Sequence, residues 1–276
     1  MISPLRFLSI LSLTLSLASV GSIAVAADRS TAEFKKLAAM NIAEVQHLAD
    51  AGQADARLEL ATRYVAGRDV QKDEHKAVEI ISGLADKNGQ AMYLMGSAYA
   101  NGIGVEKDDV QALEWFRRSA EHGNVNGEYW LANMIATGRA GGPADPKAAK
   151  PWLEKAARQG DAGSQYALAI LIGNGQAGEP PDWGKAVPLL KKAADQRESA
   201  AAMVLGILYA SGQGVKKDTE QAAKWYRRSI GIDFNAQSQV NLSRLLGEGL
   251  AKRQPGDPQI DLSPEALGLG ATATNK

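Results

Sequence analysis

The side chains able to do chemistry are few and scattered. Three histidines, His47, His75 and His122, are the only imidazoles, and none has a second histidine four residues away or a metal-ligand spacing. They are expected to be exposed residues of the scaffold. There is no cysteine, which removes disulfides, thiolate zinc sites, iron–sulfur clusters and cysteine nucleophiles together. No serine stands in a nucleophile elbow, and no pair of carboxylates is singled out for acid–base work. The loops Gly102-Ile103-Gly104-Val105 and Gly212-Gln213-Gly214-Val215 look superficially like phosphate cradles. They lack the Gly-Lys-Ser/Thr ending and do not follow a strand. Neither a cofactor nor a metal site is expected.

Balanced charge points the same way. Thirty-one Lys+Arg face 31 Asp+Glu, so the basic excess of a nucleic-acid binder is missing. Arg117-Arg118, Arg227-Arg228, Lys155 and Lys191-Lys192 resemble a basic patch. They fall near the ends of helices, where cations suit the negative end of the dipole, and a solvated face accounts for them.

The elements that must position everything else are set by a repeat. Glycines at 67, 102, 138, 175, 212 and 249 are spaced by 35, 36, 37, 37 and 37 residues. Before each lies a helix of small and apolar residues, beginning at Ala56, Ala91, Gly127, Ser164, Ala201 and Ser238. Positions one, five, six and nine of that helix form a buried stripe. Its sixth position is small throughout: Ala61, Gly96, Ala132, Ala169, Gly206 and Ser243. After the glycine comes an aspartate (Asp73, Asp108, Asp145, Asp182, Asp218), suited to cap a second helix. Pro146 takes the first helical position, and Gln111 and Gln221 are placed for capping boxes. Apolar pairs follow in register: Ile80-Ile81, Trp115-Phe116, Trp152-Leu153, Leu189-Leu190, Trp225-Tyr226. Trp183 follows the capping Asp182 and should cover the start of its helix. Gly123 and Gly160 stand where helices end. One such unit cannot bury both its faces, so the units must stack.

These residues resemble Sel-1-like repeats, relatives of the tetratricopeptide repeats. Ala91 to Gly123 and Ala201 to Ser229 match that family's pattern most closely. Arg68-Asp69 in place of a second loop glycine, Pro151 and Pro188 inside second helices, and Pro180-Pro181 depart from it. The resemblance implies an all-α, right-handed α-solenoid (superhelix) of stacked antiparallel helix pairs, with five to six repeats over 53–250. Flanking helices are expected over 27–52, with Ser30–Glu33 as a capping box and Ile42–Ala51 as a lone second helix. A flexible tail is expected over 251–276, broken by Pro255, Pro258 and Pro264.

Residues 1–26 are expected to be a signal peptide. Arg6 precedes an apolar run from Phe7 to Val25, and Ala24-Val25-Ala26 offers a cleavage site before Ala27. The mature chain is then periplasmic or secreted, without stable membrane insertion.

The same resemblance implies a non-enzymatic scaffold or adaptor that binds a protein or peptide on the concave face, and the signal peptide leads to the expectation that it works in the bacterial cell envelope. Fourth and seventh positions of first helices would line that face. They nominate Glu59, Leu94, Ser97, Trp130, Asn133, Ile170 and Arg244 as partner-binding residues, with Trp130 as the candidate hot spot. The alternative is recognition of an envelope glycan, peptidoglycan or exopolysaccharide, stacked on Tyr93, Tyr129, Trp130 and Tyr166.

Overall fold

The computed structural model describes residues 32–176 and 178–258. The signal segment and Ser30 lie outside the described residues. Thirteen helices follow one another, and no strand occurs among the described residues. They are α1 (Ala32–Ala39), α2 (Ile42–Asp50), α3 (Ala54–Ala66), α4 (Glu74–Ser82), α5 (Gly89–Asn101), α6 (Asp109–Glu121), α7 (Val125–Thr137), α8 (Pro146–Arg158), α9 (Ala162–Asn174), α10 (Trp183–Asp195), α11 (Ser199–Ser211), α12 (Thr219–Asp233) and α13 (Ala236–Gly247). The chain is an all-α solenoid of repeats. Five helix pairs are complete, and a sixth first helix, α13, follows them. Contacts divide the chain into two compact bodies between Gln159 and Gly160. The first holds α1, α2 and the pairs α3/α4, α5/α6 and α7/α8; the second holds α9/α10, α11/α12 and α13.

Local chemistry accounts for the helix limits. Each expected aspartate caps its helix through the third backbone N–H: Asp73 accepts from Lys76, Asp108 from Gln111, Asp145 from Ala148, Asp182 from Lys185 and Asp218 from Gln221. Four first helices are capped in the same way by Asn88, Asn124, Asp161 and Asn235. A full reciprocal box joins Asn41 and Glu44 at the start of α2. First helices stop at glycines in the left-handed region. Gly102, at φ +71°, returns its N–H to Ala98, and Gly67, Gly138, Gly175 and Gly212 do the equivalent. Where the first repeat lacks its second loop glycine, Asp69 itself adopts φ +61°. Pro151 and Pro188 do not interrupt α8 and α10, which run for 13 residues each.

Within each body the two helices of a pair approach at the small sixth position. A Cβ on Gly96 would lie 2.6 Å from Phe116 Cδ1, and one on Gly206 would lie 2.5 Å from Tyr226 Cδ1. Phe116 and Tyr226 are both buried and belong to the core of their bodies. The expected tail from 251 begins as ordered chain. Arg227 grips Asp257 through two bonds of 2.7 and 2.8 Å and donates to Lys252 O, while Lys252 N–H reaches Glu220. Residues 251–257 are thereby held on α12, by partners about 30 positions away in the chain that no local pattern connects.

Candidate functional site

The seven nominated residues do not form one surface. Glu59, Leu94, Ser97 and Ile170 are buried, and a buried side chain presents nothing to a partner. The reason lies in the frame. Fourth positions of first helices pack inward, so that Glu59, Leu94, Ala167, Val204 and Asn241 are all buried. Trp130 alone in that series is half-exposed, because an indole is too large for the space its neighbours fill. At the seventh position Asn133 is half-exposed and Arg244 exposed. Arg244 belongs to α13, in the other body from Trp130.

Glu59 has a different task. Its carboxylate is fully buried and takes the Arg63 guanidinium at 2.9 Å, with Arg68 on the same oxygen. Arg63, also fully buried, pairs with Asp69 and donates to Leu37 O and Met40 O, the end of α1. Opposite charges thereby meet within the fold, with one Glu59 oxygen taking both guanidinium groups and the other left without a hydrogen-bond partner. The departure Arg68-Asp69 completes this network.

What remains is the open side of α7. Asn126, Trp130, Asn133 and Thr137 follow at helical spacing, half-exposed or exposed. α7 is positioned by its cap Asn124, whose side-chain amide also donates to Gln90 on α5. Gly127 allows it to lie directly against Ser119 of α6. Glu128, fully buried, accepts from Gln159 at the C-cap of α8 and pairs with Lys155 of that helix, each at 2.7 Å. The Trp130 ring stacks on Phe116 with centroids 6.0 Å apart and 20° between planes, and meets Tyr129 edge-on at 5.6 Å. Tyr93 packs beneath, 5.8 Å from Phe116. Burial pushes its hydroxyl well above the usual tyrosine range, with Trp130 acting against it. The result is an indole held on one face and one edge, with its remaining surface open.

The glycan alternative loses part of its platform, since Tyr93 is buried. Tyr166 is half-buried in the other body, where burial first, and Glu198 second, push its hydroxyl up to about 12.

The other tryptophans are not simple core. Trp115, Trp152 and Trp225 are half-exposed, each covered by the cation three residues on: Arg118 at 4.2 Å, Lys155 at 5.6 Å and Arg228 at 5.4 Å from the ring centres. Two of these cations also donate to the end of the preceding second helix, Lys155 to Ala120 O and Arg228 to Ala194 O. They close the seams between repeats, which the Trp-x-x-cation spacing announced and the charge reading alone did not. Trp183 is buried against Gly173, where a Cβ would meet its ring at 2.5 Å. All three histidines are exposed. Among the described residues no group of three His, Cys, Asp or Glu is placed to hold a metal ion, and no helix is long and apolar enough to cross a membrane.

Known proteins share both the sequence pattern and the fold. Residues 54–80, 89–124, 125–161, 162–197 and 199–230 match the Sel1 repeat. The chain is 30% identical over 99 residues to the Sel1-repeat-containing protein YjcO of Escherichia coli, a match covering 34% of this chain and 43% of that protein. It is similar to the crystal structure of a Sel1 repeat protein from Oxalobacter formigenes, at 26% identity and TM-score 0.67, covering 76% of this chain and 91% of that one. It is also similar to c5321, a protective antigen of uropathogenic Escherichia coli with an SLR fold, at 28% identity and TM-score 0.63, covering 78% and 54% of the two chains. With five copies of the repeat in its sequence and helix pairs in each of its bodies, the chain belongs to the Sel1 repeat family.

Proposed function

We propose that this chain is a non-enzymatic scaffold of the bacterial cell envelope that binds a protein or peptide through the open side of α7, centred on Trp130 and Asn133. Proteins built from Sel1 repeats generally mediate protein–protein interactions, and the repeat is a non-catalytic scaffold. One observation carries the choice of surface. Trp130 is a large aromatic already packed on Phe116 and Tyr129 while part of it remains open. Such a residue makes contact area without losing rotamer freedom on binding, which is what anchors of interfaces have in common. The amides of Asn126 and Asn133 on either side suit the peptide groups of a partner's backbone. The envelope assignment rests on Arg6, the apolar run from Phe7 and the Ala24-Val25-Ala26 exit.

The test is capture from an envelope extract with the chain beginning at Ala27, beside its Trp130→Ala variant. The partner should be retained by the wild type and lost by about ten-fold or more in the variant, the effect of a hot spot of ~1.4 kcal/mol or above. Circular dichroism of the variant should match the wild type. Equal capture by both would refute the surface, and a wild-type chain recovered only in the cytoplasm with Met1 intact would refute the location.

A further inference from the structure

A cavity of about 320 Å³ opens between α2, α3 and α4, far along the sequence from Trp130. Its walls include Ala49, Arg57, Leu60, Ile80 and Gly83. The repeat frame explains why it is there. Seven residues after the capping aspartate, three of the five second helices carry a tryptophan: Trp115, Trp152 and Trp225. Ten residues after it, four carry a cation: Arg118, Lys155, Lys192 and Arg228. In the first repeat those two positions are Ile80 in α4 and Gly83 at its C-cap. The first repeat therefore lacks both the ring and the cation that close the seam in its counterparts.

The missing lid is also marked by its hydrogen bond. Lys155 and Arg228 donate to Ala120 O and Ala194 O, each two residues before its helix's C-cap, His122 and Gln196. The equivalent carbonyl of α2 is Ala49 O, two residues before Ala51. No cation reaches it from α4, and Arg57 of α3 donates to it instead, Nε to O at 3.0 Å. This brings a guanidinium to the cavity wall, where an indole would find a cation as Trp115 does.

We infer that this cavity receives the tryptophan side chain of a partner peptide, which supplies the ring that the first repeat omits. Leu60, Ile80 and Ala49 give the ring an apolar floor, and Arg57 gives it a flat cation to lie against. An indole also needs an acceptor for its N–H. Asp50 and Glu79 at the rim offer carboxylates, Asp50 already receiving Gln46 at 2.8 Å. Lys76, the other rim cation, has its amine 4.6 Å from the centre of the Tyr64 ring. An aliphatic side chain would use only the floor.

The probe is N-acetyl-tryptophanamide, titrated into the isotope-labelled full chain and followed by amide NMR shifts, with N-acetyl-leucinamide as control. Saturable shifts at Ala49, Ile80 and Gly83 are expected with the tryptophan probe and weaker ones with the leucine probe. Gly83→Arg, at an exposed position with helical backbone angles, should restore the lid and abolish these shifts while leaving the melting temperature unchanged or raised. Ile80→Trp should abolish them by filling the floor. No shifts in the wild type, equal shifts with both probes, or shifts undiminished in folded Gly83→Arg would each overturn the inference.

Discussion

The closest approach between paired helices makes a sharp prediction at Gly206. An alanine there places its Cβ 2.5 Å from Tyr226 Cδ1, about 1 Å inside the ~3.5 Å of a comfortable carbon–carbon contact. Tyr226 is buried in a core with Leu242, Leu245 and Leu246, so the ring has no free direction in which to retreat. Overpacking of this kind costs roughly 1–3 kcal/mol. Against it stands the helix preference of alanine over glycine, worth about 1 kcal/mol. Gly231→Ala isolates the two effects, because Gly231 lies in α12 of the same body and its Cβ would meet nothing within 4 Å. Gly231→Ala should then be stabilising, and Gly206→Ala should lie below it by the whole overpacking cost. For a chain of this size that is several degrees in melting temperature, at about 2–4 °C per kcal/mol. Thermal melts should be followed by both circular dichroism and tryptophan fluorescence, since repeat arrays need not unfold in one step. If Gly206→Ala melts at or above Gly231→Ala, the small sixth position is not a contact constraint and the packing argument fails.

Two further outcomes follow from the charges. Glu59→Ala removes the buried partner of the fully buried Arg63 and leaves it only the exposed Asp69 and backbone carbonyls, and urea unfolding should show a loss of about 3–5 kcal/mol; a loss under 1 kcal/mol would mean that the network is replaceable by water. Arg227 holds the Asp257 carboxyl below its ordinary 3.8 through their hydrogen bond, so the folded value is depressed. The stability it contributes is complete above the unfolded value and disappears as pH falls through the folded one. Cleavage of the chain after Lys252 and Arg253 by an acid-tolerant protease should accelerate below about pH 4. Arg227→Gln should show the faster cleavage already at neutral pH.

Much of the architecture is local and therefore legible along the chain. An aspartate accepts from an N–H three residues away, and a glycine turns the chain where it stands, so Asp108 and Gly102 announce their roles unaided. The asparagine caps Asn88 and Asn124 obey the same local rule. The site was harder. Frame positions four and seven named Trp130 and Asn133 together with Glu59, Leu94, Ser97 and Ile170, which are buried. Whether a helix position is covered depends on side chains some 30 residues distant, such as Gln159 on Glu128.

The repeat, the helix limits, the small contact at Gly96 and Gly206 and the absence of cysteine chemistry are written along the chain, because each follows from residue type and spacing of a few positions. Packing between helices, by contrast, sets Glu59 in an internal ion network, lays cations of the second helices over tryptophans, holds residues 251–257 on Arg227 and leaves a cavity between α2 and α4. Those depend on which side chains two stacked repeats bring to the same seam, and on whether their volumes fill it.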